Sequence, residues 1–436
     1  MMEFWKNGNK SKLASRNPWA WVPSLYMAEG IPYTMAMVVS VILYKRLGIS
    51  NTDIALYTSW LYLPWVIKPL WSPLVDLFRT KRYWILLTQL VIGASLASVA
   101  LAIPASRFFQ YTLAFFWLMA FSSATHDIAA DGLYMLGLTN PLQAAFTGVR
   151  TTFYRIAMIA TQGGLVILAG FLEESGYEVP RAWSIALFAT AAVFLAFLLY
   201  HSFVLPYPAA DRPGSRNPST SITLEFLYTF GLFFKKKGIV TILAFLLFYR
   251  FAETQIVKII ALFLLDPRSK GGLELATSEV GIIYGTVGII SLMLGGLLGG
   301  YAIYRKGLRF WIWIMVCAVH LPDLVYVYLS QALPDNFYLI NLCVAVEQFG
   351  YGFGFTAYTM FMLMVSEGEY KTVHYAIATG IMALGMMLPA MASGWLQEQL
   401  GYQNFFLLVM AMTIPGFIVT GLIKIDPEFG KKKEMR

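Results

Sequence analysis

The stretch FSSATHDIAADGLY, residues 121–134, places His126, Asp127 and Asp131 inside a run that is otherwise almost wholly apolar. Asp127 and Asp131 are four positions apart, so on a helix they share a face, with His126 at its edge. A carboxylate held in a low-dielectric wall is a proton acceptor, an ion-pair partner or a clamp for a ligand's hydroxyls. His126, Asp127 and Asp131 therefore read as a proton relay, a ligand clamp or both. The alternative is that Asp127 pairs with Arg155 and only ties two helices together. Glu29, Arg250, Glu253, Lys258 and Glu347 also stand in apolar runs. Tyr26, Glu29 and Tyr33 form one helical stripe, and Arg250, Glu253 and Val257 form a matching one. Glu29 and Glu253 join His126, Asp127 and Asp131 as candidates for proton coupling. Glu29, Gly30, His126, Arg155, Arg250, Glu253, Glu347 and the aromatic rings of Tyr26, Tyr33 and Tyr351 are candidate solute contacts. Gly30 and Pro32 interrupt the first stripe, so a bend is expected there, with backbone carbonyls free to meet a ligand. Lys258 is as well able to snorkel outward. Lys68 and His320 fall near expected helix ends and are given no role.

These charges must be carried by elements that cross a membrane. Of 436 residues, 58% are hydrophobic and only 13% charged, against about 25% in a soluble domain. A charge at the bilayer centre costs at least about 2.5–3.5 kcal/mol, so buried charges are expected to face one another around a wet cavity. A span needs roughly 20 apolar residues. By that rule twelve spans are expected, at 19–44, 52–77, 84–103, 109–138, 142–172, 181–205, 239–265, 277–303, 310–329, 336–365, 372–398 and 402–424. The first is read as a retained span and not a removed signal peptide. Net charge is +8, but the cations lie in connectors and tails rather than on one face, which argues for membrane orientation and against nucleic acid. Lys and Arg crowd the two tails and connectors 79–82, 206–237 and 305–309. The opposite side carries only Lys45, Arg46, Arg107, Arg181, Arg268 and Lys270. Both termini are therefore expected in the cytoplasm.

The connector YPAADRPGSRNPSTSITLEF, rich in Pro and Ser, divides the chain into an N-terminal bundle (1–205), a cytoplasmic linker (206–237) and a C-terminal bundle (238–436). The halves echo each other: GFLEESGY at 170–177 returns as GWLQEQLGY at 394–402. Glu29 and Glu253 lie 224 positions apart, as do Gly170 and Gly394. The expected fold is all-α and integral to the membrane: twelve transmembrane helices as two pseudo-symmetric six-helix bundles, the major facilitator arrangement. The short loop after span 2, LWSPLVDLFRTKRYW, looks like a degenerate form of that superfamily's loop motif, which makes Asp76, Arg79, Lys81 and Arg82 a candidate gating loop. Cys317 and Cys343 offer no disulfide framework or zinc motif. No G-x-x-x-x-G-K-[ST], H-E-x-x-H or G-x-S-x-G occurs, so an ATP-driven pump or an intramembrane enzyme is disfavoured. No cofactor and no metal are expected.

EGIPY in span 1, KPLWSPLVD in span 2, SSATHDIAADGLY in span 4, and EQFGYGFG and LPAMASGWLQEQLGY in the second half together resemble the AmpG muropeptide permease family, a branch of the major facilitator superfamily related to acetyl-coenzyme A transporters. The resemblance runs along most of the chain in matching order. It implies a proton-coupled symporter that imports peptidoglycan-derived muropeptides across the inner membrane, working as a monomer. It also carries the family's span 1 glycine onto Gly30, its span 4 alanine onto Ala124, which joins the candidate solute contacts, and its acid onto Asp127. Family members commonly read A-[ST]-Q-D in span 4, where this chain has Ala124-Thr125-His126-Asp127. His374 likewise stands where glutamine is usual. Imidazole titrates near about pH 6.5 and an amide does not, so another oligosaccharide, or an acetyl-coenzyme A-like solute, is the alternative cargo.

Overall fold

The computed structural model describes residues 16–212, 222–368 and 370–431, and among them the chain is helix and turn without strands. Twelve long helical spans are formed by the described residues. Span 1 is Pro18–Arg46; span 2 is Asn51–Trp60 followed by Leu63–Phe78. Span 3 is Lys81–Ala102, span 4 Phe108–Gly137, span 5 Pro141–Glu174 and span 6 Val179–Val204. After a connecting helix, Ile222–Phe234, come span 7 (Ile239–Leu265), span 8 (Thr277–Lys306), span 9 (Leu308–Ala332) and span 10 (Phe337–Ser366). One helical run then holds span 11 (371–400) and span 12 (402–422), divided at Gly401, whose φ of 70° breaks the helix. Eight described segments are long and apolar enough to cross a membrane by composition alone. Span 2 is interrupted at 61–62, and spans 4 and 10 are diluted by the polar residues of interest here.

Several spans are not regular helices. Span 1 stays α-helical through Gly30 and Pro32 and then takes a π turn at Met35–Val39. The irregularity forced by proline is thus displaced by a turn. The Gly30 carbonyl accepts the Thr34 hydroxyl at 2.9 Å. Span 7 breaks at Tyr249–Arg250 and span 9 at Leu321–Asp323, beside Pro322. Lipid is as apolar as leucine, so helices associate through close packing and hydrogen bonds. The glycines of span 10 show this: a Cβ on Gly350 or Gly352 would collide with carbonyls of Ala318 or Leu292.

Packing divides the chain into two compact units. The first takes residues up to Val39 and Ile67–Thr220, around a core of Trp21, Leu25, Ile85, Leu133 and Leu205. The second takes Ser40–Val66 and the remainder, around Phe245, Tyr249, Tyr358 and Phe361. Within this second unit the 40–66 hairpin is held by a polar knot. Lys45 pairs with Asp266 at 2.6 Å, and the Asn51 amide reaches Asp266 at 3.1 Å and Gln397 at 2.6 Å. A cavity of about 720 Å³ opens beside the knot, lined in part by Lys45, Asp266, Lys270 and Glu398.

Candidate functional site

In the first unit, span 4 is helical throughout, so Asp127 and Asp131 project from one face as their spacing requires. Span 1 lays Tyr26 and Glu29 against that face, and carboxyl oxygens of Glu29, Asp127 and Asp131 lie within 4.8 Å of one another. Two cations join them. Lys68 of span 2 pairs with Asp127 Oδ2. Arg150 of span 5 pairs with Asp131 at 2.9 Å, and the Tyr26 hydroxyl donates to the same oxygen at 2.8 Å. The Arg150 guanidinium also lies 4.5 Å over the Tyr26 ring, a cation–π contact.

Glu29 forms no ion pair among the described residues. Its Oε2 is buried with no donor reaching it, and a carboxyl oxygen lies within 4.8 Å of that of Asp127. Three carboxylates against two cations leave one negative charge in excess, and two carboxyl groups so close repel unless a proton is shared between them. A single added proton neutralises the group. The three acids have the spacing of a cation site, but Lys68 and Arg150 already fill it, so the residues suit a proton better than a resident metal. The group is open rather than sealed: the side chains of Asp131, Arg150 and Lys68 are 39%, 31% and 29% exposed.

The other first-unit candidates fall around this cluster. Gly30 lets spans 1 and 5 touch behind Glu29, since a Cβ there would sit 2.9 Å from Ala157 Cβ and from the Tyr154 carbonyl. Ala124 is wholly buried in span 4. The Tyr33 ring lies 6.3 Å from that of Tyr154. Arg155 does not pair with Asp127, whose partner is Lys68; its guanidinium reaches only Met158 Sδ, at 3.8 Å. His126 points away from the carboxylates. Its Nε2 meets the Gln89 amide at 3.1 Å, Gln89 meets His201 Nδ1 at 2.8 Å, and His201 Nε2 meets Ser24 Oγ at 2.9 Å. That buried chain ties spans 1, 3, 4 and 6 together.

The described members of the candidate gating loop make contacts within the first unit. Arg82 donates to the carbonyls of Leu205 and Ser202 at the end of span 6 and lies 4.0 Å over the Tyr207 ring. The Lys81 side chain packs against Gly132, and the backbone N–H of Lys81 donates to Asp211 at 2.7 Å. Arg79 is exposed over Tyr83. The Asp76 side chain lies outside the described residues.

In the second unit, Arg250 sits at the break in span 7 and pairs with Glu253 at 2.9 Å. It also donates to the Tyr351 hydroxyl at 2.5 Å and lies 4.8 Å over the Phe355 ring. Glu347 accepts from Tyr326 at 2.7 Å and from Gln348 at 3.0 Å. Asp323 and His320, at the break in span 9, interact with this group electrostatically: Asp323 with both Glu253 and Glu347, His320 with Glu253. Neither oxygen of Asp323 has a hydrogen-bond partner. Glu253 and Glu347 are 0% exposed. Lys258 does not snorkel outward; its Nζ donates to Thr58 Oγ1 at 2.9 Å. His374 stands apart, between the rings of Phe233 and Tyr370.

Sequence reasoning missed Lys68, Arg150, His320 and Asp323. The signal for the first two was local charge balance, because three first-half acids were matched with Arg155 alone. For the others it was the HLPD tetrapeptide, whose proline opens span 9 at mid-length.

A twelve-span helical chain with buried clusters of paired charge is an integral membrane transporter of the major facilitator fold, not an enzyme. The chain belongs to the BT1 family, which matches residues 29–414. A transporter named AmpG 4 in Rickettsia conorii is 24% identical over 408 residues, covering 91% of this chain and 94% of that protein. The anhydromuropeptide permease of Escherichia coli K12 is 23% identical over 402 residues, covering 91% and 77%. Among solved structures, a mutant of the nucleoside transporter NupG superposes with a TM-score of 0.71 at 16% identity, over 92% of this chain and 99% of that one. A D-xylose–proton symporter gives 0.70 at 12% identity, over 95% and 99%. These two likenesses establish the fold.

Proposed function

We propose that this chain is a proton-coupled symporter that imports peptidoglycan-derived anhydro-amino-sugar saccharides or muropeptides across the inner membrane by alternating access. It works as a monomer with both termini in the cytoplasm. Two six-helix halves, 1–205 and 238–436, joined by the linker 206–237, rock to expose the solute site to each side in turn. The observation that carries the reading is the one unbalanced charge among Glu29, Asp127 and Asp131, in a group open enough to exchange protons. A proton taken up between Glu29 and Asp127 removes their repulsion and neutralises the cluster. Its release restores the repulsion, and Lys68 then holds Asp127 more tightly. Coupling follows if solute binds best to the neutral form. Tyr33 and Tyr351 supply ring faces, and Arg250 and Glu347 polar groups, that solute reaches only when the protein opens; the Tyr26 ring is taken by Arg150. The name of the Escherichia coli relative, anhydromuropeptide permease, supports the choice of cargo.

The test is purified protein in liposomes with an inward proton gradient and radiolabelled N-acetylglucosaminyl-1,6-anhydro-N-acetylmuramic acid. Label should accumulate above its external concentration and leak back when a protonophore is added. Equal uptake with and without the gradient would overturn the coupling. Uptake no faster than in empty liposomes would overturn the cargo.

A further inference from the structure

Four cations of the chain, taken unit by unit, each have an anionic partner: Lys68 has Asp127 and Arg150 has Asp131 in the first, and Arg250 has Glu253 and Lys45 has Asp266 in the second. Arg82, without an acid, satisfies itself on two backbone carbonyls. Lys258 has neither arrangement. It is 3% exposed within span 7 of the second unit, and no carboxylate among the described residues forms an ion pair with it. Its single hydrogen bond goes to Thr58 Oγ1, whose own proton is donated to the Ile54 carbonyl at 2.6 Å. The Tyr62 ring centroid stands 5.8 Å from Nζ. Thr58 and Tyr62 therefore steady the side chain without supplying a counter-charge, and among the described residues no further hydrogen-bond partner meets Nζ.

An ammonium stripped of water and given no counter-charge is strongly disfavoured, and intramembrane ionisable residues that persist do so with a partner. Closed, burial without a counter-charge favours the neutral amine; an anion entering on opening would hold the side chain in its charged form. A lone ammonium beside a neutral hydroxyl and a ring face matches a singly charged oxyanion; a phosphate dianion would call for a second cation. Lys258 follows Arg250 by eight residues on the same span, about 12 Å along a helix, a separation that an extended disaccharide can bridge.

We infer that Lys258 is a specificity residue that receives the carboxylate of the transported solute when this part of the second unit opens. The inference rests on the transport reading above and adds to it that the cargo must be acidic. In the closed arrangement Thr58 holds the amino group in place; on opening, the solute's carboxylate pairs with it as an ammonium.

The test compares N-acetylglucosaminyl-1,6-anhydro-N-acetylmuramic acid with its methyl ester, which replaces the negative charge by one methyl group, in the same proteoliposomes. The wild-type protein should favour the acid at least tenfold in kcat/KM. Lys258→Met should bring acid uptake down to the level of the ester, so that the ratio falls to about one. Lys258→Arg should keep most of the preference. Lys258→Gln, which keeps a donor for Thr58, serves if the methionine variant does not fold, and should show the same loss of preference. A lysine with a purely structural role would slow both probes together and leave the ratio alone; that result, or a wild type that handles acid and ester alike, overturns the assignment while leaving the transport reading intact. A wild type that takes up neither probe overturns that reading, and the assignment with it.

Discussion

Glu29 and Glu253 occupy corresponding positions in the two halves of the sequence, yet their surroundings differ in kind. Glu29 lies in a group of three acids and two cations that is partly open. Glu253 lies among Asp323 and Glu347 with one guanidinium, Arg250, and is wholly buried. The first group can change its charge by one without being dismantled, because Lys68 and Arg150 already hold two of its acids. The second has a single strong pair at its centre, and its other acids are kept by neutral donors, such as Tyr326, or, at Asp323, by no hydrogen bond and only the His320 ring at 3.9 Å. The repeat thus preserves the position of an acid without preserving its task. The open group is suited to moving a proton, and the closed one to holding a broken helix in place.

The largest effect should come from splitting the central pair of the closed group. Arg250→Met leaves Glu253 buried and unpaired, a change that costs about 3–5 kcal/mol in a buried ion pair. Folded protein recovered by size exclusion in detergent should fall sharply, and Arg250→Met/Glu253→Leu should restore it; a well-folded single variant would remove the contrast. Next is Lys68→Met in the open group. The variant should fold, because Asp127 can draw on nearby water, but gradient-driven uptake should fall by about 100-fold, an effect of about 2.7 kcal/mol, while Lys68→Arg keeps much of it. Asp323→Asn should be milder and opposite in sign, raising stability by about 1 kcal/mol, since it removes a charge whose oxygens have no donor. A loss in thermal unfolding would mean that the His320 ring, 3.9 Å from Asp323, pairs with it. The smallest effect is expected from His126→Gln, because an amide can keep the bond to Gln89. Uptake should stay within about threefold with an unshifted pH profile; a shifted profile would return His126 to the proton path.

Much of this was legible in the residues. Span 1 was expected at 19–44 and is Pro18–Arg46, and span 10 was expected at 336–365 and is Phe337–Ser366, because long apolar runs leave little freedom in where a helix crosses. The shared face of Asp127 and Asp131 followed from their spacing. The direction of His126 was also available, since adjacent residues on a helix point about 100° apart and cannot share a task by adjacency alone. What the sequence hid were partners from other spans. Lys68 and Arg150 looked like end-of-span and connector charges, and only the tilt and packing of spans 2 and 5 bring them to Asp127 and Asp131. Similarly, Pro32 marked an irregularity but not its place, because the helix continues through it and the π turn follows at Met35–Val39.

The proton assignment is tested most directly by separating exchange from accumulation in Glu29→Gln. Glutamine keeps the size of the side chain and fixes the cluster in its balanced charge state. Liposomes preloaded with unlabelled N-acetylglucosaminyl-1,6-anhydro-N-acetylmuramic acid should still exchange it for labelled solute at near wild-type rates. Empty liposomes with an inward proton gradient should no longer concentrate it. A variant that accumulates solute against its gradient as the wild type does would contradict the account.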